Sequence, residues 1–263
     1  MPSFLFCTSY ITDRSPFARW TRWLDFYDAR RERLGVDRLV LIDDGTPSER
    51  LPGELTIVSA DRPLPPALPD GPVMFRFAEN LGRTSLRGFP GWWRSFTFAA
   101  AVAERYGYER ILHCESDAFV LSDRMLADLG ERRRGWTAFW CPLFRMPETA
   151  IQVLAGDGAR RLARLHRYGE RLWLQSDPLV RLGVQRMRMA RAGYGPRELL
   201  GLAGALLMPR LAESVLPFDE VCRRFVGDRY SERGTPPPAD ADYVCQTPLD
   251  AVLPGVGAVS LDA

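Results

Sequence analysis

Two short acidic segments carry the clearest chemistry in the 263-residue chain. The first, Asp43-Asp44-Gly45-Thr46, ends the apolar run 38–42. A carboxylate there can accept hydrogen bonds from a base N–H or a ribose hydroxyl, and in parallel sheets ligands bind beyond the carboxyl ends of the strands. Asp-Gly is also a common turn pair, so the same residues read as a plain turn. The second, Glu115-Ser116-Asp117, directly follows the run 110–114. Carboxylates at i and i+2 off a strand end can converge on one hard cation, Mg2+ or Mn2+, which takes oxygen ligands and keeps waters and phosphates around it. Such an ion would bridge a diphosphate and offset charge as it leaves. The plain alternative is an acidic turn that caps the next segment.

The elements that must position these acids are legible from periodicity. Residues 4–9 form an apolar run suited to a buried strand. Ser15 and Pro16 can open a helix whose face is Phe17, Trp20, Leu24, Tyr27 and Leu34, closed by Gly35. Strands are expected at 38–42, 55–58, 73–77 and 110–114, and helices at 91–106 and 158–174. Strands alternating with helices predict an α/β fold with a mostly parallel central sheet flanked by helices. His113 lies inside a strand and is expected to be a packed neighbour rather than a ligand.

Composition narrows the function. The chain has no lysine, so every fixed side-chain cation is arginine, which excludes a lysine Schiff base or a phosphate-loop lysine. A net charge of +2 is too small for bulk nucleic-acid binding, so no nucleic-acid partner is expected. Residues 131–191 hold thirteen arginines against five acids. That block reads either as a solvated helix face or as a site for an anionic partner such as an acidic membrane surface. The five cysteines are scattered and never form a C-x-x-C pair, as expected for free thiols in a cytoplasmic protein. The first residues lack the pattern of a secretory signal. The apolar run 199–209 is shorter than the roughly 20 residues of a membrane span, so the expected location is cytoplasmic, with a peripheral position at the inner membrane face left open.

In combination, the segments resemble a known family. "LVLIDDGTPSE" resembles the second-strand nucleotide-binding segment of the family-2-like glycosyltransferases of the GT-A fold. The stretch "ENLGRTSLRGFPGWWRSFTFAAAVAERYGYERILHCESDAFV" resembles their passage from an Asn-x-Gly turn, through a helix, to the D-x-D strand. The resemblance covers roughly residues 4–125. It implies a GT-A-like single domain with a nucleotide-sugar-binding half, 1–129, and an acceptor-side half, 130–263. Thr8 and Tyr10 would lie near the base, Asp43 and Asp44 on uracil and ribose, and Asn80 and Gly82 beside the nucleotide. Arg87 would reach the diphosphate, with Ser116 also on the donor. Glu115 and Asp117 would stand for the acids of D-x-D and hold Mn2+ or Mg2+, although the first is Glu rather than Asp.

For the base of an inverting transfer, the resemblance points to an acidic pair after the Gly-rich run 201–208. Asp228 is the first choice, with Asp219 and Glu220 behind it; each can equally cap a turn or pair with a nearby arginine. The Q-x-x-R-W motif of processive synthases is absent, so transfer of a single sugar is expected, from a nucleotide-sugar donor to a glycan or lipid-linked acceptor in surface polysaccharide or glycoconjugate synthesis. Trp92, Trp93, Trp136, Trp140 and Trp173 are either core or sugar-stacking residues, and 227–242 is either a closing loop or a linker. A non-catalytic nucleotide-sugar-binding subunit and a sugar nucleotidyltransferase are the competing readings. A glycosidase leaves the paired acidic segments unexplained.

Overall fold

A computed structural model of the chain describes residues 1–10, 16–51, 53, 55–82, 89–142, 146–173, 218–229, 237–249, 251 and 253. The elements run β1 (Ser3–Ser9), α1 (Pro16–Asp28), α2 (Arg31–Leu34), β2 (Arg38–Asp43), β3 (Thr56–Ser59), β4 (Val73–Arg76), α3 (Pro90–Tyr106) and β5 (Arg110–Cys114). They continue with β6 (Phe119–Val120), α4 (Asp123–Glu131), β7 (Gly135–Cys141), β8 (Met146–Ala155), α5 (Asp157–Trp173), β9 (Glu220–Cys222), β10 (Gly227–Arg229) and β11 (Tyr243–Cys245).

The described strands form an eight-stranded sheet in the order β3-β4-β2-β1-β5-β8-β7-β9 and a three-stranded sheet β10-β11-β6. In the large sheet β3, β4, β2, β1 and β5 run parallel, β8 is antiparallel to both its neighbours, and β9 is parallel to β7. The fold is thus α/β, with a large mixed, mostly parallel sheet flanked by helices. No helix among the described residues is long and apolar enough to cross a membrane.

Every residue of β1 is buried, because both faces of the sheet are covered. Its alternate side chains feed two cores. Leu5 and Cys7 join Trp20, Trp23 and Tyr27 of α1 and Met125 of α4, while Phe4 and Phe6 join Phe96, Ala99 and Ala103 of α3. The two-residue period of the strand therefore assigns one helix layer to each face.

Two expectations need correction. The single helix expected from Pro16 to Gly35 is two, since the backbone turns after Asp28. The Arg30 N–H reaches Tyr27 O at 3.1 Å while its guanidinium lies over the Phe26 ring and donates to Phe26 O at 3.0 Å. Strands β8, β7 and β9 extend the same sheet from β5. The segment 227–242, expected as a loop, begins as strand β10; residues 230–236 lie outside the described residues.

The start of β5 is pinned by Arg110, whose side chain is buried. Its guanidinium donates to the carbonyls of Leu34 and Gly35 at 2.6 Å each, and of Gly130 and Leu129 at 2.6 and 3.3 Å. These are the orphan carbonyls at the carboxyl ends of α2 and α4, the negative poles of the two helices. Burial still lowers the Arg110 pKa to about 10. Replacing it leaves four carbonyls short of a donor. Arg110→Met is expected to destabilise the fold by about 3 kcal/mol or more, read by urea unfolding; a loss below about 1 kcal/mol would show that water replaces the guanidinium without penalty.

Candidate active site

The carboxyl ends of β1 and β5, the turn after β2 and the first turns of α1 and α3 enclose a cleft of about 500 Å³. Its walls include Thr8, Ser9 and Tyr10 after β1, Asp44 and Gly82 beside β2, and Glu115, Ser116 and Asp117 after β5. Three segments far apart in sequence thus converge at the strand ends where ligands of parallel sheets bind.

The turn after β2 is built by its two carboxylates. Asp43 is fully buried and accepts hydrogen bonds from Ser9 Oγ at 2.8 Å and from the Thr46 N–H and Oγ1 at 2.6 Å each. It does not line the cleft: expected on the ligand, it instead fastens the turn to β1. Asp44 reaches the wall, but its carboxylate accepts from Asn80 Nδ2 and the Gly82 N–H at 2.9 Å each, and pairs with Arg94. Asn80 acts from behind through Asp44, not as part of the wall. Burial pushes the Asp44 carboxyl above its ordinary pKa, against the Gly82 N–H and Arg94.

Two glycines make this packing possible. A Cβ on Gly91, in the first turn of α3, would stand 1.8 Å from Asp44 Oδ2. Gly45 has φ +85°, and a Cβ there would meet the Asn80 nitrogen at 2.8 Å.

Glu115 to Ala118 form a tight turn, closed by the Ala118 N–H to Glu115 O at 2.9 Å and tied to β8 by the Glu115 N–H to Ala150 O at 2.8 Å. The turn brings Glu115 and Asp117 to the same cleft, as expected for carboxylates at i and i+2. The Trp92 indole N–H donates to Glu115 Oε1 at 2.9 Å, and Asp117 lies 3.6 Å from the guanidinium of Arg19. The Asp117 carbonyl accepts from the Thr247 N–H at 3.1 Å, which joins the turn to the segment after β11.

Among the described residues no group of three or more His, Cys, Asp or Glu is arranged to hold a metal ion. Glu115 and Asp117 supply carboxylate oxygens at one cleft, the donor type that Mg2+ and Mn2+ take from proteins, usually one or two carboxylates beside substrate phosphates.

The late acids do not join the cleft. Asp219 pairs with Arg161 and accepts from the Trp136 N–H at 2.6 Å; Glu220 accepts from Arg132 at 2.6 Å. Both stand at β9, three strands from β5 and about 14 Å across the sheet. Trp136 is level with Ile111 through β8, so Asp219 also sits near the start of β5, away from the acidic turn. Expected as candidate bases, both pair with neighbouring arginines away from the cleft. Asp228 is buried in β10, opposite Val244 of β11, which in turn pairs with Phe119 two residues past Asp117. It lies in the small sheet beside the acidic turn, but not on the cleft wall. Arg87 and the Gly-rich run 201–208 lie outside the described residues.

The aromatic residues divide. Trp136 is core, and Trp140 lies under the guanidinium of Arg223 at 3.6 Å. Trp92 lines the cleft and stacks on Phe96 at 4.8 Å. The side chain of Trp173 lies outside the described residues. Sequence reasoning missed Arg19 and Ser95 on the wall. Nothing in their spacing marks them, since each sits in a helix whose periodic signal comes from its neighbours. The buried Ser95 Oγ has no hydrogen-bond partner among the described residues, which suits a polar ligand.

No family model and no curated protein matches the chain. Among solved structures it is similar to a glycosyltransferase involved in the glycosylation of the major capsid of PBCV-1, with 9% identity over 94% of this chain and 93% of that one, at a TM-score of 0.41. A likeness of that size carries no argument about chemistry, which rests on the cleft.

Beneath the rim, His113 packs against Phe6, Phe96 and Trp92 with ring centroids at 4.8, 5.0 and 5.9 Å, as expected for a packed strand residue. Burial lowers its pKa to about 3 from 6.5. Below about pH 6.5 the unfolded chain takes up a proton that the native state refuses, so this contribution to stability is present at pH 7 and lost as pH falls toward 3, by about 1.4 kcal/mol per unit. Between pH 7 and pH 5 the native chain is expected to lose about 2 kcal/mol more than His113→Phe in urea unfolding. Parallel losses would mean that His113 titrates normally in the fold.

Proposed function

We propose that the chain is a glycosyltransferase that moves one sugar from a nucleotide-sugar donor, taken as a UDP-sugar, to a glycan or lipid-linked acceptor. The observation that carries this reading is the convergence of Thr8 and Tyr10, Asp44 and Gly82, and Glu115 to Asp117 on one cleft at the strand ends. Thr8 and Tyr10 face the base, and the wall held by Asp44 and Gly82 takes the ribose. Glu115, oriented by the Trp92 indole, and Asp117 are the residues that would hold Mn2+ or Mg2+. When bound, the ion supplies positive charge against the diphosphate as it leaves.

In the reaction the acceptor hydroxyl oxygen forms its bond to the anomeric carbon while the bond from that carbon to the diphosphate oxygen breaks. The diphosphate departs with the electron pair, and the hydroxyl proton passes to a carboxylate if the transfer inverts. Asp228 is the late acid whose strand belongs to the small sheet beside the acidic turn, and it is the base of this reading. The exposed arginines Arg160, Arg164 and Arg167 recur on α5 at steps of four and three and offer a face to an anionic membrane.

A second reading, a nucleotide-sugar-binding subunit without turnover, draws on one observation: none of the late acids lines the cleft. Two variants separate the readings. Asp117→Asn is expected to abolish the Mn2+-dependent part of UDP-sugar stabilisation in a thermal-shift titration, and retention of that increment would remove the metal assignment. Asp228→Asn is expected to keep donor binding while UDP release in the presence of acceptor falls at least a hundredfold; full activity would end the base assignment, and no UDP release by the native chain with any acceptor would favour the binding subunit.

A further inference from the structure

Arg19 is the one cationic side chain among the described residues that line the cleft. It stands on α1, one turn before Arg22, and that helix is fixed rather than loosely docked. The buried Arg22 guanidinium donates to the carbonyls of Pro248, Leu249 and Ala251 at 2.7, 3.1 and 2.6 Å. The same segment supplies the Thr247 N–H that bonds to the Asp117 carbonyl. The helix carrying Arg19 and the turn carrying Asp117 are therefore tied to one strap of chain. The Arg19 guanidinium and the Asp117 carboxylate lie 3.6 Å apart.

The charges on the wall then decide what Arg19 can do. Asp44 is matched by Arg94, and Asp117 lies 3.6 Å from the Arg19 guanidinium. A 3.6 Å charge contact is longer than a hydrogen bond, so a phosphate oxygen in the cleft can compete for the guanidinium. The planar fork binds phosphate through two parallel hydrogen bonds, a geometry that a point charge cannot reproduce.

We propose that Arg19 recognises the phosphate of the ligand, exchanging its contact with Asp117 for the diphosphate oxygens and leaving Asp117 to the cation that accompanies them. The proposal rests on the nucleotide-sugar reading and adds to it a recognition residue outside the segments that carry the family resemblance.

The test uses the full chain with Mn2+, titrated with UDP by calorimetry and with uridine, the phosphate-free control, by ligand-observed NMR. Arg19→Gln is expected to weaken UDP about tenfold to a hundredfold and to leave uridine unchanged. Arg19→Lys is expected to recover only part of the loss, and it serves as the test if Arg19→Gln does not fold. UDP affinity in a folded variant within twofold of the native value overturns the assignment. So does equal weakening of UDP and uridine, the mark of a merely structural role. A native chain that binds no UDP overturns the donor reading and the Arg19 assignment together, which distinguishes that failure from loss of the Arg19 role alone.

Discussion

One wall of the cleft depends on the carboxylate of Asp44. It is buried, and burial opposes its charge. Three donors from different parts of the chain hold it: the Asn80 amide, the Gly82 N–H and the Arg94 guanidinium. Gly91 lets the first turn of α3 close on it, with no room for a Cβ. A buried carboxylate satisfied on all sides fixes the end of β2, the 79–82 turn and α3 in one arrangement, because moving any of them strands a charge. Asp43 does the same between β2 and β1. The Asp43-Asp44 pair is thus the joint of the cleft, and only Asp44 reaches its wall.

The opposite wall obeys a different constraint. The β5 strand is held at its start by Arg110 and crosses a buried aromatic layer at His113. It emerges at Glu115 with an indole N–H already on the carboxylate. Aromatic packing fixes the Trp92 ring against Phe96, so the orientation of Glu115 is set before any ligand arrives. Preset dipoles and charges of this kind need little reorganisation when a charged group binds.

Most of the large sheet was legible because its signals are local. Alternating buried runs marked β1, β2 and β5, and Pro90 at the start of α3 matched the expected helix. The split between α1 and α2 was hidden because Leu34 continues the apolar spacing across the break. The strands β6, β9, β10 and β11 are two or three residues long and exist only through pairing, which no period can reveal. At the site, the converging segments were legible as turn chemistry at strand ends. The partition of roles was not, since Asp43 and Asp44 are adjacent and identical yet one faces inward and the other the cleft. Asp219 and Glu220 looked like a catalytic pair only while the arginines that neutralise them, Arg161 and Arg132, were remote in sequence.

The arginine-only composition explains why the cationic part of the site was hardest to foresee. Arg110 binds four carbonyls, Arg22 three, and Arg94 joins Asp44 to the carbonyl of Glu79. Each task uses several donors in one plane, which a guanidinium supplies and an ammonium cannot supply in the same geometry. In a chain where arginine serves as structural brace and as surface charge alike, residue type says nothing about recognition. What separates Arg19 from the rest is placement: its helix is held by another arginine one turn away, and its side chain lines the cleft 3.6 Å from Asp117. A guanidinium on a cleft wall meets whatever enters the cleft, whereas one buried among carbonyls, as Arg110 is, braces the fold.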